Sequence, residues 1–216
     1  MIAIGQIWNR WAKSRPLITL SLTNGMMGAI GDVIAQNIAQ PTAQQTDKTK
    51  STDGSSQAVG YDPMRTARFF LYGCMFGPVA YKWYSLLDRR FPLPLVTLGS
   101  SAPSELGTSA AKMLAIGKRV AVDQVAFAPV AIGAFFVVMG AMEGKRINDI
   151  RASLRAKYKD ALVGNYALWP WAQLVNFSVI PLIYRVPFSS VVSVLWNVYL
   201  SWINSRRSSG VPINSV

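Results

Sequence analysis

The residues able to do chemistry sit where an apolar chain has no cheap place for them. Asp32 and Gln36 interrupt an apolar run over residues 17–38. Lys118, Arg119 and Asp123 interrupt one over 113–142, and Asn165, Gln173 and Asn176 one over 161–185. Buried carboxylates and cations can exchange protons, so acid–base work is the first chemistry to test. The chain has no histidine, the commonest general base and metal ligand, and ten acids in all, most of them outside these runs. Cys74 is the single cysteine, which rules out an internal disulfide. We therefore expect no catalytic residue, no metal site and no cofactor. What remains is a polar interior, used either as hydrogen-bonding glue between helices or as the wall of a path for solutes.

Spacing says which face is inside. On a helix, Asn165, Trp169, Gln173 and Asn176 share one face, and lipid has no use for a column of amides. Gly25 and Gly28 on the first run, with Asp32 and Gln36 beyond them, mark a helix-packing side, as do Gly73 and Gly77 on a run over 66–87. Arg119 and Asp123 stand four apart and can pair along one helix face. Two readings are open for that half-span. It lies at the interface, because a charge at the bilayer centre costs roughly 3 kcal/mol, or its charges are functional.

Composition agrees with a membrane. Of 216 residues, 51% are apolar and 15% charged, against about a quarter charged in soluble domains, and the mean hydropathy is +0.25. The net charge of +12 is scattered between apolar runs without a basic helix of RNA-binding type. It points to anionic headgroups and away from nucleic acid. The fold expected is all-α: an integral membrane helical bundle in a single domain, 1–216. It has about four transmembrane helices, near 17–38, 66–87, 113–142 and 161–185, with prolines 78, 129, 170 and 181 bending or ending them. Residues 40–60 are polar and low in complexity and are expected to be disordered, and 91–110 read as a Pro/Gly/Ser-rich loop. Residues 143–160 read as an amphipathic helix on the membrane surface, with Arg151, Arg155 and Lys157 on lipid headgroups. The apolar stretch 188–203 is either a tilted fifth span or a helix packed into the bundle. Leaving aside Lys82, Lys118 and Arg119 within the spans, the lysines and arginines divide ten against nine between the two sides, so orientation is not readable. The acid-free first 31 residues suit an interfacial helix better than a secretory signal.

Several blocks, taken together, carry a resemblance. They are Gly31-Asp32 with Gln36, Asp62-Pro63-x-Arg65-x-x-Arg68, Gly77-Pro78 through Trp83-Tyr84 to Leu87-Asp88, and Lys118-Arg119-Val120-Ala121-Val122-Asp123-Gln124 to Pro129. Met142-Glu143-Gly144, Trp169-Pro170 through Gln173 and Asn176-Phe177 to Arg185, and Trp196-Asn197-x-Tyr199 follow. In order and spacing the chain resembles the family of small integral membrane proteins named after the Mpv-seventeen protein and the peroxisomal membrane protein twenty-two. It is most like the fungal mitochondrial, stress-inducible Sym-one branch. The resemblance implies a four-span helical protein of the mitochondrial inner membrane, with peroxisomes the site of other branches. It also implies weakly selective pores for small metabolites and a role in homeostasis under stress, with no catalytic residues. The expected partners are membrane lipids, cardiolipin among them, a second copy of the chain in a homo-oligomer, and small solutes. The competing function is a non-conducting organiser that grips anionic lipid or partner proteins.

Overall fold

The computed structural model describes residues 2–50, 60–93 and 105–208. Among these the chain is helical throughout: α1 (Ile2–Ser14), α2 (Pro16–Lys50), α3 (Pro63–Arg90), α4 (Glu105–Val122), a π-turn (Asp123–Phe127), α5 (Ala128–Met142), α6 (Ile147–Val179) and α7 (Leu182–Ser208). It is an all-α membrane bundle.

Local chemistry sets the boundaries. Asp62 caps α3 by accepting the Arg65 amide at 3.0 Å, with Pro63 at the first helical position, where no amide hydrogen is needed. At the end of α5, Gly144 takes φ +69°. The Lys145 amide then reaches back to the Gly140 carbonyl and the Gly144 amide to that of Ala141, both at 3.0 Å. This left-handed closure favours glycine and reverses the chain into α6. Pro181, between α6 and α7, makes the other tight reversal.

The distribution of side chains is inverted relative to a soluble protein. Asp32, Arg119, Asp123, Gln173 and Asn176 are all at most 3% exposed. Leu22, Met26, Leu71, Met75, Val79, Val125, Val130, Val163, Val175 and Leu195 face outward. Such an exterior is matched to acyl chains, and most of the buried polar groups bond one another inside.

α2 and α3 cross at glycine-to-backbone distance. A β-carbon on Gly73 would stand 2.6 Å from the Asn24 carbonyl oxygen, one on Gly77 2.8 Å from that of Leu20, and one on Gly28 2.8 Å from that of Phe69. One on Gly25 would run into the Cys74 sulfur. At this range Ser21 Oγ donates to the Cys74 carbonyl at 2.6 Å and Asn24 Nδ2 to that of Gly73 at 2.8 Å. α7 lies along α2 on another side, where Ser190 donates to Asn24 and Val194 packs on Gly31.

Among the described residues Pro16–Ile38 and Ser109–Met142, the first and third expected spans, are long and apolar enough to cross a membrane by themselves. α3 and α6 fall short of that measure because α3 carries Lys82 among its tyrosines and tryptophan, and α6 opens with a charged half and has amides on its inward face. Other sequence expectations are corrected. α2 continues to Lys50, so residues 40–50 of the segment expected to be disordered are helical. Their Ala, Gln and Lys residues favour helix. Residues 51–59 lie outside the described residues, as do 94–104 of the second loop, and α4 starts already at Glu105. The amphipathic helix and the fourth span are one helix. No breaker separates them, so α6 runs unbroken for 33 residues, roughly 50 Å at 1.5 Å per residue and well beyond a hydrocarbon core of about 30 Å. The stretch 188–203 is part of the bundle-packed α7, and the fourth span stops at Val179 rather than 185.

Gly73→Ala is expected to lower stability by about 1–3 kcal/mol, because the new methyl meets backbone that cannot yield. Gly117→Ala, on α4 with nothing within 4 Å, is expected to be neutral or to stabilise by up to about 1 kcal/mol. Thermal unfolding of both variants in detergent checks the contrast.

Candidate functional site: a buried polar network

Asp123 opens the π-turn and is the centre of the largest polar network. Its Oδ1 accepts the Trp83 indole N–H of α3 at 2.8 Å. Its Oδ2 accepts the side-chain amides of Gln124 and of Gln173 on α6, both at 2.9 Å. Gln173 also donates to Tyr84 Oη at 3.3 Å and accepts from Asn176 at 2.8 Å. Tyr84 Oη and Asn176 Nδ2 both meet Ser189 Oγ of α7, at 3.0 and 3.3 Å. Asn176 Oδ1 is buried with no hydrogen-bond partner among the described residues. Asn165 enters from one side, donating to Gln124 Oε1 at 3.0 Å. The network thus joins α3, the π-turn, α6 and α7 around one carboxylate.

The π-turn that positions Asp123 has a cause in the sequence. Pro129 has no amide hydrogen, and its ring crowds the carbonyl four residues back. The Ala128 amide bonds the Asp123 carbonyl five residues back, instead of that of Gln124. The next amide along belongs to the proline, so the Gln124 carbonyl has no helical donor. Tyr166 of α6 supplies one at 3.2 Å, and Tyr158 donates to the Pro129 carbonyl at 3.1 Å. Broken helices persist at membrane depth when a neighbour satisfies the freed backbone in this way.

One helical turn from the Asp123 layer lies a second, charged layer. Asp88 Oδ1 takes Nη1 of Arg119 and Nη1 of Arg185, the latter at 2.7 Å. Arg119 also donates through Nε and Nη2 to the Phe91 carbonyl at 2.9 and 2.8 Å. Arg185 donates to the Ile180 carbonyl at 3.1 Å and lies over the Phe177 ring. The Arg119–Asp123 pairing that the sequence allows is not made. Asp88 and the end of α3 take the guanidinium, and Asp123 takes amides and the indole instead.

Asp32 and Gln36 form a separate cluster. Asp32 Oδ1 pairs with Arg65 at 2.8 Å. Its Oδ2 accepts from Gln36 and Thr66, both at 2.7 Å. Gln36 Oε1 accepts the Asp62 amide at 2.7 Å. No hydrogen bond joins this cluster to the Asp123 network among the described residues. Gly25, Gly28, Gly73 and Gly77 lie at the α2–α3 crossing, and Arg151, Arg155 and Lys157 are exposed on the first turns of α6. Among the described residues no three acidic, cysteine or histidine side chains converge as metal ligands do. Sequence reasoning placed Trp83, Tyr84, Asp88, Gln124 and Arg185 within recurring blocks without assigning them to the site. Tyr166 and Ser189 gave no signal of their own.

An apolar exterior around hydrogen-bonded, partly charged interior layers defines a helical integral membrane protein. The profile of the Mpv17 / PMP22 family matches residues 140–201. Protein SYM1 of Gibberella zeae is 37% identical over 202 residues, covering 91% of this chain and 97% of its own. The Mitochondrial inner membrane protein Mpv17 of Homo sapiens is 33% identical over 202 residues, covering 93% and 97%. Protein SYM1 of Saccharomyces cerevisiae is 33% identical over 205 residues, covering 94% and 91%. The chain belongs to the Mpv17 / PMP22 family. No solved structure matches it.

Tyr166→Phe removes the donor to the Gln124 carbonyl and is expected to cost about 0.5–1.5 kcal/mol. Pro129→Ala restores an amide and lets the π-turn relax. In that background the cost of Tyr166→Phe is expected to fall, a coupling that a double-mutant cycle of unfolding temperatures reads directly.

Proposed function

We propose that this protein is a weakly selective pore for small metabolites, spanning the mitochondrial inner membrane about four times and supporting mitochondrial homeostasis under stress. The observation that carries this reading is Asp123, a carboxylate 2% exposed, inside a span, with no lysine or arginine partner among the described residues. Amides and hydroxyls are enough to glue helices together. A lone carboxylate at that depth is a costly choice for glue and a useful one on a solute path. Gln173, Asn176 and Asn165 extend the polar surface beside it. Asp32 with Gln36, and Arg119 with Asp88, give the interior charges of both signs, which favours weak selectivity over a single-sign filter. Pro78, Pro129 and Pro170 supply the bends that let helices part around a path, and a homo-oligomer would complete its wall. The location follows the relatives named as mitochondrial inner membrane proteins in human and frog. We also read the protein as non-catalytic, its buried carboxylates Asp32 and Asp123 being engaged by donors that tie helices together.

A second reading, a non-conducting organiser, is favoured by one feature. α6 exceeds the hydrocarbon thickness, and its early turns expose Arg151, Arg155 and Lys157. Each cation near an anionic surface contributes about 1 kcal/mol of attraction, so this segment would grip cardiolipin or other acidic lipid.

The purified protein in planar bilayers is expected to pass discrete currents, and Asp123→Asn to reduce their preference for cations over anions. Silence from protein that circular dichroism and thermal unfolding show to be folded overturns the pore and leaves the organiser. In that case, neutralising Arg151, Arg155 and Lys157 together is expected to release the protein from acidic vesicles.

A further inference from the structure

One face of α3 carries an apolar stripe that meets the polar network only through the Trp83 indole N–H. Leu71, Met75, Val79, Trp83, Leu86 and Arg90 follow one another at steps of three and four residues, so they line one side of the helix. Leu71, Met75, Val79 and Leu86 are each at least 45% exposed. From Leu71 to Arg90 the stripe runs roughly 28 Å at 1.5 Å per residue. At its far end it enters a shallow groove of about 430 Å³, lined by Trp83, Leu86, Leu87, Arg90, Phe91 and Val122. Arg90 is the one charged residue among those described in the wall.

The charge at this corner is unbalanced. Asp88 is the nearest acid in sequence, and two arginines already share its Oδ1. Both are buried, at 2% and 5% exposure, and both are held in place by backbone carbonyls, so neither can swing away. Arg89 and Arg90 follow directly and have no carboxylate partner among the described residues. Phe91 ties the two features together, because it lines the groove and its carbonyl holds Arg119.

We propose that an anionic phospholipid seats on this stripe, its phosphate on Arg90 and one acyl chain along Leu86, Trp83, Val79 and Met75. The apolar length calls for a chain, and the excess of arginine over carboxylate calls for an anion at its end. The site is at the α3 terminus and owes nothing to the basic turns of α6 or to any conductance.

The full chain is reconstituted with equal phosphatidylglycerol and phosphatidylcholine, extracted, and its retained lipids counted by native mass spectrometry. Arg151→Gln, Arg155→Gln and Lys157→Gln are present throughout, so that headgroups on α6 do not mask the result. Phosphatidylglycerol is expected to be retained in preference, and Arg90→Gln to lower its retention about fivefold. Leu86→Glu, on the exposed wall, is expected to do the same with the unfolding temperature unchanged. Equal retention of the two lipids, or an unaltered preference in Arg90→Gln, overturns the proposal. So does displacement of phosphatidylglycerol by inorganic phosphate with Leu86→Glu behaving as the parent, which would make the corner a free-phosphate site.

Discussion

A carboxylate removed from water must be met by donors, and in this protein that demand fixes the bundle. Asp123 draws an indole N–H from α3, an amide from its own turn and an amide from α6. Each donor is held by a second contact. Trp83 stacks on Phe127 with ring centres 4.9 Å apart, Gln124 is tied to Asn165, and Gln173 to Asn176. Moving any one helix strands a buried polar group, at a cost of about 1–3 kcal/mol or more for a charge. The positions of α3, α6 and the π-turn are therefore not independent. Tyr84 and Ser189 pass the same constraint to α7.

The rest of the bundle rests on a different force. Lipid gives no hydrophobic drive to helix association, so α2 and α3 rely on close van der Waals contact and on hydroxyl and amide bonds to carbonyls. Four glycines make that approach possible, and Ser21 and Asn24 exploit it. The two regimes are complementary. The α2–α3 crossing is close at its glycines, with the Asp32–Arg65 pair beyond them, whereas the π-turn side is joined by long polar side chains.

How much of this was legible depends on whether a signal is local. The inward face of α6 could be read because Gln173 and Asn176 share a helical face, and their burial at 3% and 0% exposure follows from that geometry. The glycine surfaces could be read for the same reason. Arg119 could not be assigned its partner, because Asp88 is thirty-one positions away and the competing Asp123 is only four. The π-turn was invisible as such. Pro129 announces a bend, but the shift of one hydrogen bond from Gln124 to Asp123 depends on tyrosines of α6 being in reach. The continuity of α6 was missed because composition changes sharply near residue 160, and composition reports the solvent a helix meets rather than where it ends.

That Arg119 and Asp123 avoid each other follows from helix ends and depth. The Phe91 carbonyl lies at the C-terminus of α3 and that of Ile180 at the C-terminus of α6, where the aligned peptide dipoles leave partial negative charge. Arg119 and Arg185 each cover one of these ends, and Asp88 sits between them. The positive charges are thereby held at two helix C-termini, whose carbonyls and Asp88 lower the cost of burying them. Asp123 lies one turn deeper and meets only neutral donors. A pair formed along the helix would have cancelled both charges and left two helix ends uncapped. The arrangement instead keeps opposite charges in successive layers, with the Asp88–Arg119–Arg185 cluster in one and the Asp123 carboxylate in the next.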